Sequence, residues 1–215
     1  MKTSPNLPPN LLIDGPADAP ITLVLAHGAG ASMDSPFMEK VAKGVAATRV
    51  RVVRFEFPYM EARRSGVRRA PDRESVLMQS WRAVIERLGD PARTVIGGKS
   101  MGGRIASMVA DDAGVAGLVC LGYPFHPPGN PSRTRIKHLE NLRTPALILQ
   151  GTRDSFGHPE EVAKYPLSRA IRVTWIEAGD HSFKPTKSSG RSEEQNLAEA
   201  ISQVSRFLQT LEVPH

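Results

Sequence analysis

The chain has 215 residues, 40% of them hydrophobic and 6% aromatic, and a formal net charge of +6. That length suits one full α/β domain and is short for two. No apolar run approaches the ~20 residues of a membrane-spanning helix, the single cysteine excludes an intrachain disulfide framework, and a basic chain this poor in aromatics with no recognised module argues against specific nucleic-acid binding.

Residues 1–20 are rich in Pro, Asn and Asp and read as a tail with one short edge strand near Asn10–Asp14. The opening MKTSPNLPPN has no apolar core of the secretory kind, and with a lone cysteine a cytoplasmic protein is expected. From residue 21 to 215 one α/β domain is expected. Ile21–Ala26 is a continuous apolar run, as for a parallel strand buried on both faces. It ends in the small-residue loop His27-Gly28-Ala29-Gly30-Ala31, where backbone N–H groups can approach a ligand closely. Ser35-Pro36 reads as a helix start, with proline at the first helical position, and the helix continues through Phe37, Val41 and Val45.

Val50–Phe57 is the next strand, followed by a polar, basic loop from Pro58 to Pro71 that carries Arg63, Arg64, Arg68 and Arg69. A helix from about Arg73 to Leu88 presents Val76, Trp81, Val84, Ile85 and Leu88 on one face and stops at Gly89. Thr94–Gly97 is a strand that runs into Gly98-Lys99-Ser100-Met101-Gly102, and a helix follows at once to about Asp112. Val115–Gly122 is a strand. Tyr123–Thr144 is irregular, holds four prolines and has room for a short helix near Ile136–Asn141. Strands at Pro145–Gln150 and Ile171–Ile176 flank a short helix at Pro159–Lys164, and an amphipathic helix over Glu193–Leu211 closes the chain. Alternating strands and helices predict a mostly parallel sheet of six or seven strands with helices on both faces. The loops after the strands then collect at one sheet edge, bringing together 27–31, 58–71, 98–101, 151–154 and 178–183.

Gly98-x-Ser100-x-Gly102 between a strand and a helix is the arrangement of a nucleophile elbow. Ser100, Asp154 and His181 each sit just past a predicted strand, in the order serine, acid, histidine. A serine hydroxyl is a weak nucleophile at neutral pH and needs a base beside it; His181 would take its proton and Asp154 would hold the imidazole. The N–H groups of Ala29 and Met101 would receive the oxyanion. Each residue also has a plainer role. Ser100 could be a helix N-cap, Asp154 could cap its turn, Asp180 could be the acid in its place, and His181 could be a solvated loop histidine. His27 is expected to anchor its loop. Cys120, inside Leu118–Leu121, is expected to be a buried thiol. Lys99 and Arg104 are expected in ordinary hydrogen-bonding or surface roles. The arginine-rich stretch 63–73 is expected to be a solvated loop, with contact to an anionic substrate or partner as the alternative. His126, His138, His158 and His215 have no evident partner. No Cys/His or carboxylate set has metal-ligand spacing, and the glycines form neither a dinucleotide fingerprint nor a phosphate loop, so no metal or cofactor is expected.

The segments His27–Ala31, Met33–Met38, Phe57–Met60, Gly97–Arg104, Gly122–Gly129, Leu149–Asp154 and Gly179–Phe183 together resemble the α/β-hydrolase superfamily across nearly the whole chain. More narrowly, the chain is similar to a small group that includes bacterial hydrolases, a testis-expressed mammalian protein and the third subunit of the NSL acetyltransferase complex. The resemblance implies Ser100 as nucleophile, Asp154 as acid and His181 as base. Dienelactone hydrolases are a related comparison that uses cysteine where this chain has Ser100. Relatives in chromatin complexes imply the other reading, an interaction module that keeps the fold without catalysis. The expectation is a serine hydrolase acting on a small-molecule carboxylic ester or thioester through an acyl-enzyme. Tyr123–Thr144 is too short for a substantial lid, which predicts an open cleft lined by Met33, Phe37, Tyr59 and Phe125.

Overall fold

The computed structural model describes residues 10–212. Residues 1–9 of the expected tail and His215 lie outside the described residues. Strands β1 (Leu12–Asp14), β2 (Thr22–Ala26), β3 (Arg51–Phe55), β4 (Thr94–Lys99), β5 (Gly117–Leu121), β6 (Ala146–Gly151) and β7 (Ile171–Ile176) form one sheet in the order β1-β3-β2-β4-β5-β6-β7. β1 runs antiparallel to β3 at one edge, and every other neighbouring pair is parallel. The helices are α1 (Pro36–Ala46), α2 (Pro58–Arg64), α3 (Glu74–Leu88), α4 (Met101–Ala113), α5 (Pro159–Val162) and α6 (Glu193–Gln209). This is the α/β-hydrolase fold.

The central strands are continuous apolar runs because both faces are covered. Side chains alternate across a strand. Val24, Val53, Phe55 and Ile96 therefore pack with Trp81 and Val84 of α3 and with Ile105 and Val109 of α4. Leu23, Leu25, Val52 and Val95 pack on the other face, with Met38 and Val41 of α1 and Leu197 and Val204 of α6. At ~25 cal/mol per Å² of apolar surface, these two layers supply most of the favourable free energy of folding.

One element departs from the expected loop. The basic stretch after β3 begins as a helix, α2. Pro58 occupies its first turn, Glu61 lies in that turn, and Arg63 and Arg64 lie in the last turn, all favourable to the helix dipole. The Tyr59 amide donates to Asp72 Oδ2 at 2.8 Å, so the start is capped by a residue well downstream. The segment between β5 and β6 carries only the 3₁₀ turn Lys137–Leu139. Tyr123, Phe125, Leu139 and Leu142 pin it into the core, so it lies against the body of the molecule.

Candidate active site

β4 ends at the centre of the sheet, between β2 and β5. Ser100 follows it and holds φ 50°, ψ −112°, a conformation rarely adopted by a residue with a side chain. Two close approaches enforce that turn. A Cβ on Gly98 would overlap the Ala26 carbonyl of β2, and one on Gly102 would overlap the carbonyls of Ala26 and His27. α4 starts at Met101, one residue after the serine, so its first amides open beside the hydroxyl.

Two other strand ends bring the partners. Asp154 follows β6 and is fully buried. His181 lies in the loop after β7, with its side chain 24% exposed. His181 Nδ1 donates to Asp154 Oδ2 at 2.7 Å, and Ser100 Oγ donates to His181 Nε2 at 2.8 Å. With Nδ1 protonated toward the carboxylate, Nε2 is left as the acceptor that faces the hydroxyl. Asp180 is engaged elsewhere: its Oδ1 accepts from the amides of Ser182 at 2.8 Å and Lys184 at 3.0 Å, closing the histidine loop.

The Ala29 and Met101 amides donate to no protein acceptor among the described residues. The Ala29 loop is held from behind. The His27 ring is buried, donates from Nδ1 to the Gly28 carbonyl at 2.7 Å and accepts the Phe57 amide on Nε2 at 3.1 Å. The Tyr59 hydroxyl donates to the Ala29 carbonyl at 3.0 Å. Burial keeps His27 below the ordinary histidine range. Burial also raises the Tyr59 phenol, to about 12.

A cleft of about 290 Å³ opens over Ser100, walled by Gly28, Ala29, Phe37, Met38, Lys99, Phe156 and His181. Of the four side chains expected to line it, Phe37 stands on its wall, and Met33, Tyr59 and Phe125 do not. Met33, Tyr59 and Phe125 are 3%, 0% and 0% exposed. Met33 lies behind the loop, where Arg54 and Glu56 bond its backbone. Tyr59 is packed on His27, and Phe125 on Tyr123 and Tyr165. Burying a large apolar side chain outweighs leaving it on a cleft wall.

Three neighbours of the site were not singled out for it by sequence reasoning. Phe156 packs on the His181 ring, centroids 4.2 Å apart, and its amide donates to Asp154 Oδ1 at 2.9 Å. Gln150, fully buried, donates from Nε2 to Asp154 Oδ2 at 2.9 Å and accepts the Tyr123 amide at 2.7 Å. Lys99, given a surface or hydrogen-bonding role, is buried; its Nζ donates to the His181 carbonyl at 2.6 Å and lies 5.6 Å from the centroid of the Phe37 ring. Burial lowers its pKa to about 8, against the pull of Asp154 and Asp180. The position of Lys99 at the end of the apolar run of β4 was the available signal, because a strand covered on both faces leaves no solvated side.

The remaining singled-out residues have structural partners. Cys120 is buried beneath the elbow helix, with its thiol facing the Gly103 carbonyl and pushed far up by desolvation. Arg104 pairs with Glu74, His126 with Glu161, and His138 with Ser107. His158 caps α5. No metal-holding group of three His, Cys, Asp or Glu occurs among the described residues, and no helix there is long and apolar enough to cross a membrane.

The fold matches solved structures at low sequence identity. An α/β serine hydrolase without a lid from Xanthomonas campestris superposes with a TM-score of 0.68 at 19% identity, over 95% of this chain and 90% of that one. A dienelactone hydrolase from Anabaena variabilis gives 0.68 at 20% identity, over 94% and 91%. Est1E from Butyrivibrio proteoclasticus gives 0.66 at 12% identity, over 93% and 94%. The model of the alpha/beta hydrolase domain matches residues 19–209. The chain belongs to the α/β-hydrolase family.

Proposed function

We propose that the protein is a serine hydrolase of carboxylic esters or thioesters that works through an acyl-enzyme. One observation carries this reading: the unbroken relay from Ser100 Oγ through His181 to Asp154, at 2.8 and 2.7 Å, on a strained elbow beside open amides. Ser100 Oγ attacks the carbonyl carbon while His181 Nε2 takes its proton. The negative charge on the carbonyl oxygen is received by the Ala29 and Met101 amides, a contribution worth ~10²–10³ in rate per donor. His181 returns the proton to the departing alkoxide or thiolate as the bond to carbon breaks. A water deprotonated by the same imidazole then attacks the acyl-enzyme and releases the acid and Ser100. Asp154 keeps the imidazole oriented and stabilises its charged form.

A cleft of about 290 Å³ with no wall from the β5–β6 segment suits a small acyl group, or an ester that projects from a larger molecule. The esterases among its structural relatives and the lidless Xanthomonas hydrolase support this reading. Fluorophosphonate labelling and a panel of short-chain nitrophenyl esters and thioesters test it. The expected result is labelling and turnover by the native protein and loss of both in Ser100→Ala. Labelling that persists in Ser100→Ala refutes the assignment, and a native protein that neither labels nor turns over leaves the interaction-module reading in its place.

A further inference from the structure

The cleft over Ser100 is not the largest concavity of the molecule. A second one, of about 1050 Å³, adjoins it and shares Gly30, Ala31 and Ser35 with its walls. Its far wall is basic, formed by Arg63, Arg64 and Arg68 from α2 and the turn after it. Arg64 is already compensated, bonded through Nε and Nη2 to Glu56 at 2.6 and 2.8 Å and paired with Asp34 at 2.9 Å. Asp34, the one carboxylate on the wall, is engaged by Arg64 and by the Ser32 hydroxyl. Arg63 and Arg68 have no carboxylate partner among the described residues. The Arg63 guanidinium is held by uncharged groups. It lies 5.3 Å from the centroid of the Tyr59 ring and donates from Nη2 to the Arg69 carbonyl at 3.2 Å, while its buried Nε has no partner.

We propose that this basic cavity is a subsite for an oxyanion, a carboxylate or phosphate carried on the part of the ester remote from the reacting carbonyl. This rests on the hydrolase reading above and narrows its substrate class. Two arginines without a carboxylate partner leave their charge for a ligand, and the planar guanidinium fork matches both carboxylate and phosphate. The shared rim at Gly30 and Ala31 lets a single molecule place its ester over Ser100 and its anion against Arg63 and Arg68. Gly30 leaves that crossing open, since nothing lies within 4 Å of where its Cβ would be. The subsite is also joined to the chemistry: Tyr59, under the Arg63 guanidinium, donates its hydroxyl to the carbonyl of Ala29, the residue whose amide the hydrolase reading assigns to the reacting oxygen.

The test uses esters matched in length that end in a carboxylate, a phosphate or a neutral carboxamide, with the end group placed on the acyl side in one series and on the alcohol side in another. Hydrolysis is followed by product chromatography on protein that labels with fluorophosphonate. In one of the two series, kcat/KM is expected to favour an anionic ester over its carboxamide by ten- to a hundredfold at low salt. That ratio should fall at least tenfold in Arg68→Gln and in Arg63→Gln, and Arg63→Lys should recover part of it. Arg68 is exposed, which keeps the test usable if Arg63→Gln folds poorly. The carboxylate and phosphate arms separate the two anion sources. Ratios near one in both series, in a protein that turns over the carboxamide esters, overturn the subsite and leave the hydrolase intact. So does a ratio unchanged in Arg63→Gln/Arg68→Gln. Absence of labelling and turnover overturns the hydrolase reading itself.

Discussion

Lys99 holds His181 by its backbone: the ammonium donates to the histidine carbonyl at 2.6 Å, while the imidazole of the same residue reaches Ser100. The lysine sits in the strand that leads into the elbow, so one side chain ties the loop of the base to the strand of the serine. Its folded value of about 8 lies below the ordinary 10.5. Between these values the unfolded chain carries a proton that the native state lacks, so the stability contribution of this residue rises with pH across that window, and its cost is complete below about 8. The gap corresponds to roughly 3 kcal/mol. Lys99→Met is therefore expected to unfold no earlier than native at pH 7, despite the orphaned carbonyl, and to lose that advantage at pH 9.5. The same variant should lose about tenfold in kcat/KM, and the native rate should decline above pH 8, where Lys99 loses its proton, while that of the variant does not. Urea unfolding at the two pH values and a pH–rate profile check this.

His27 imposes a second, acid-side dependence. As a neutral ring it satisfies the Gly28 carbonyl and the Phe57 amide together; a proton on Nε2 would set two donors against each other. Its folded value is lowered from 6.5, mainly by burial. The stability it contributes is thus present above 6.5 and is lost as the pH falls through and below that value. His27→Gln should be less stable than native by about 1–3 kcal/mol at pH 7, and the difference should narrow toward pH 5. Thermal melts of the two proteins between these pH values give the comparison.

Gln150 supports Asp154 from below the sheet edge. In Gln150→Leu the Tyr123 amide loses its buried partner and Asp154 Oδ2 keeps only His181, at a cost of about 2–4 kcal/mol in urea unfolding. Turnover should fall with it, because the carboxylate that orients the imidazole loses a fixed donor. A Gln150→Leu protein with native kcat would show that the Phe156 amide and His181 suffice to hold Asp154.

The elbow and its neighbouring loop should answer differently to the same substitution. Gly98→Ala sets a methyl against the Ala26 carbonyl, and either backbone must move, at a cost of about 4 kcal/mol or more. Gly30→Ala meets nothing within 4 Å and should stay within about 0.5 kcal/mol of native. Parallel melts of the two variants decide it.

Much of this arrangement could be read from the chain because its causes are local. The apolar runs of Leu23–Ala26 and Leu147–Leu149 announce doubly covered strands, and glycines two positions either side of Ser100 announce a crowded turn. What escaped reading depends on distant partners. α2 is capped by Asp72, beyond an arginine-rich stretch that looks solvated by composition. Met33, Tyr59 and Phe125 flank loops that reach the cleft, yet each turns into the core, where its apolar surface leaves water more completely. Gln150 and Phe156 read as ordinary strand and loop residues until β6 and the loop after it place them against Asp154 and His181.

The backbone of Ser100 is the least relaxed point of the elbow, at φ 50° and ψ −112°, a conformation that costs a side-chain-bearing residue about 1–3 kcal/mol. Glycine would sit there without that tension. Selection for heat endurance alone would therefore erase the hydroxyl early. Sturdier, silent descendants of such a chain would arise by the simplest route available, and only continued demand for the reaction keeps the serine in place.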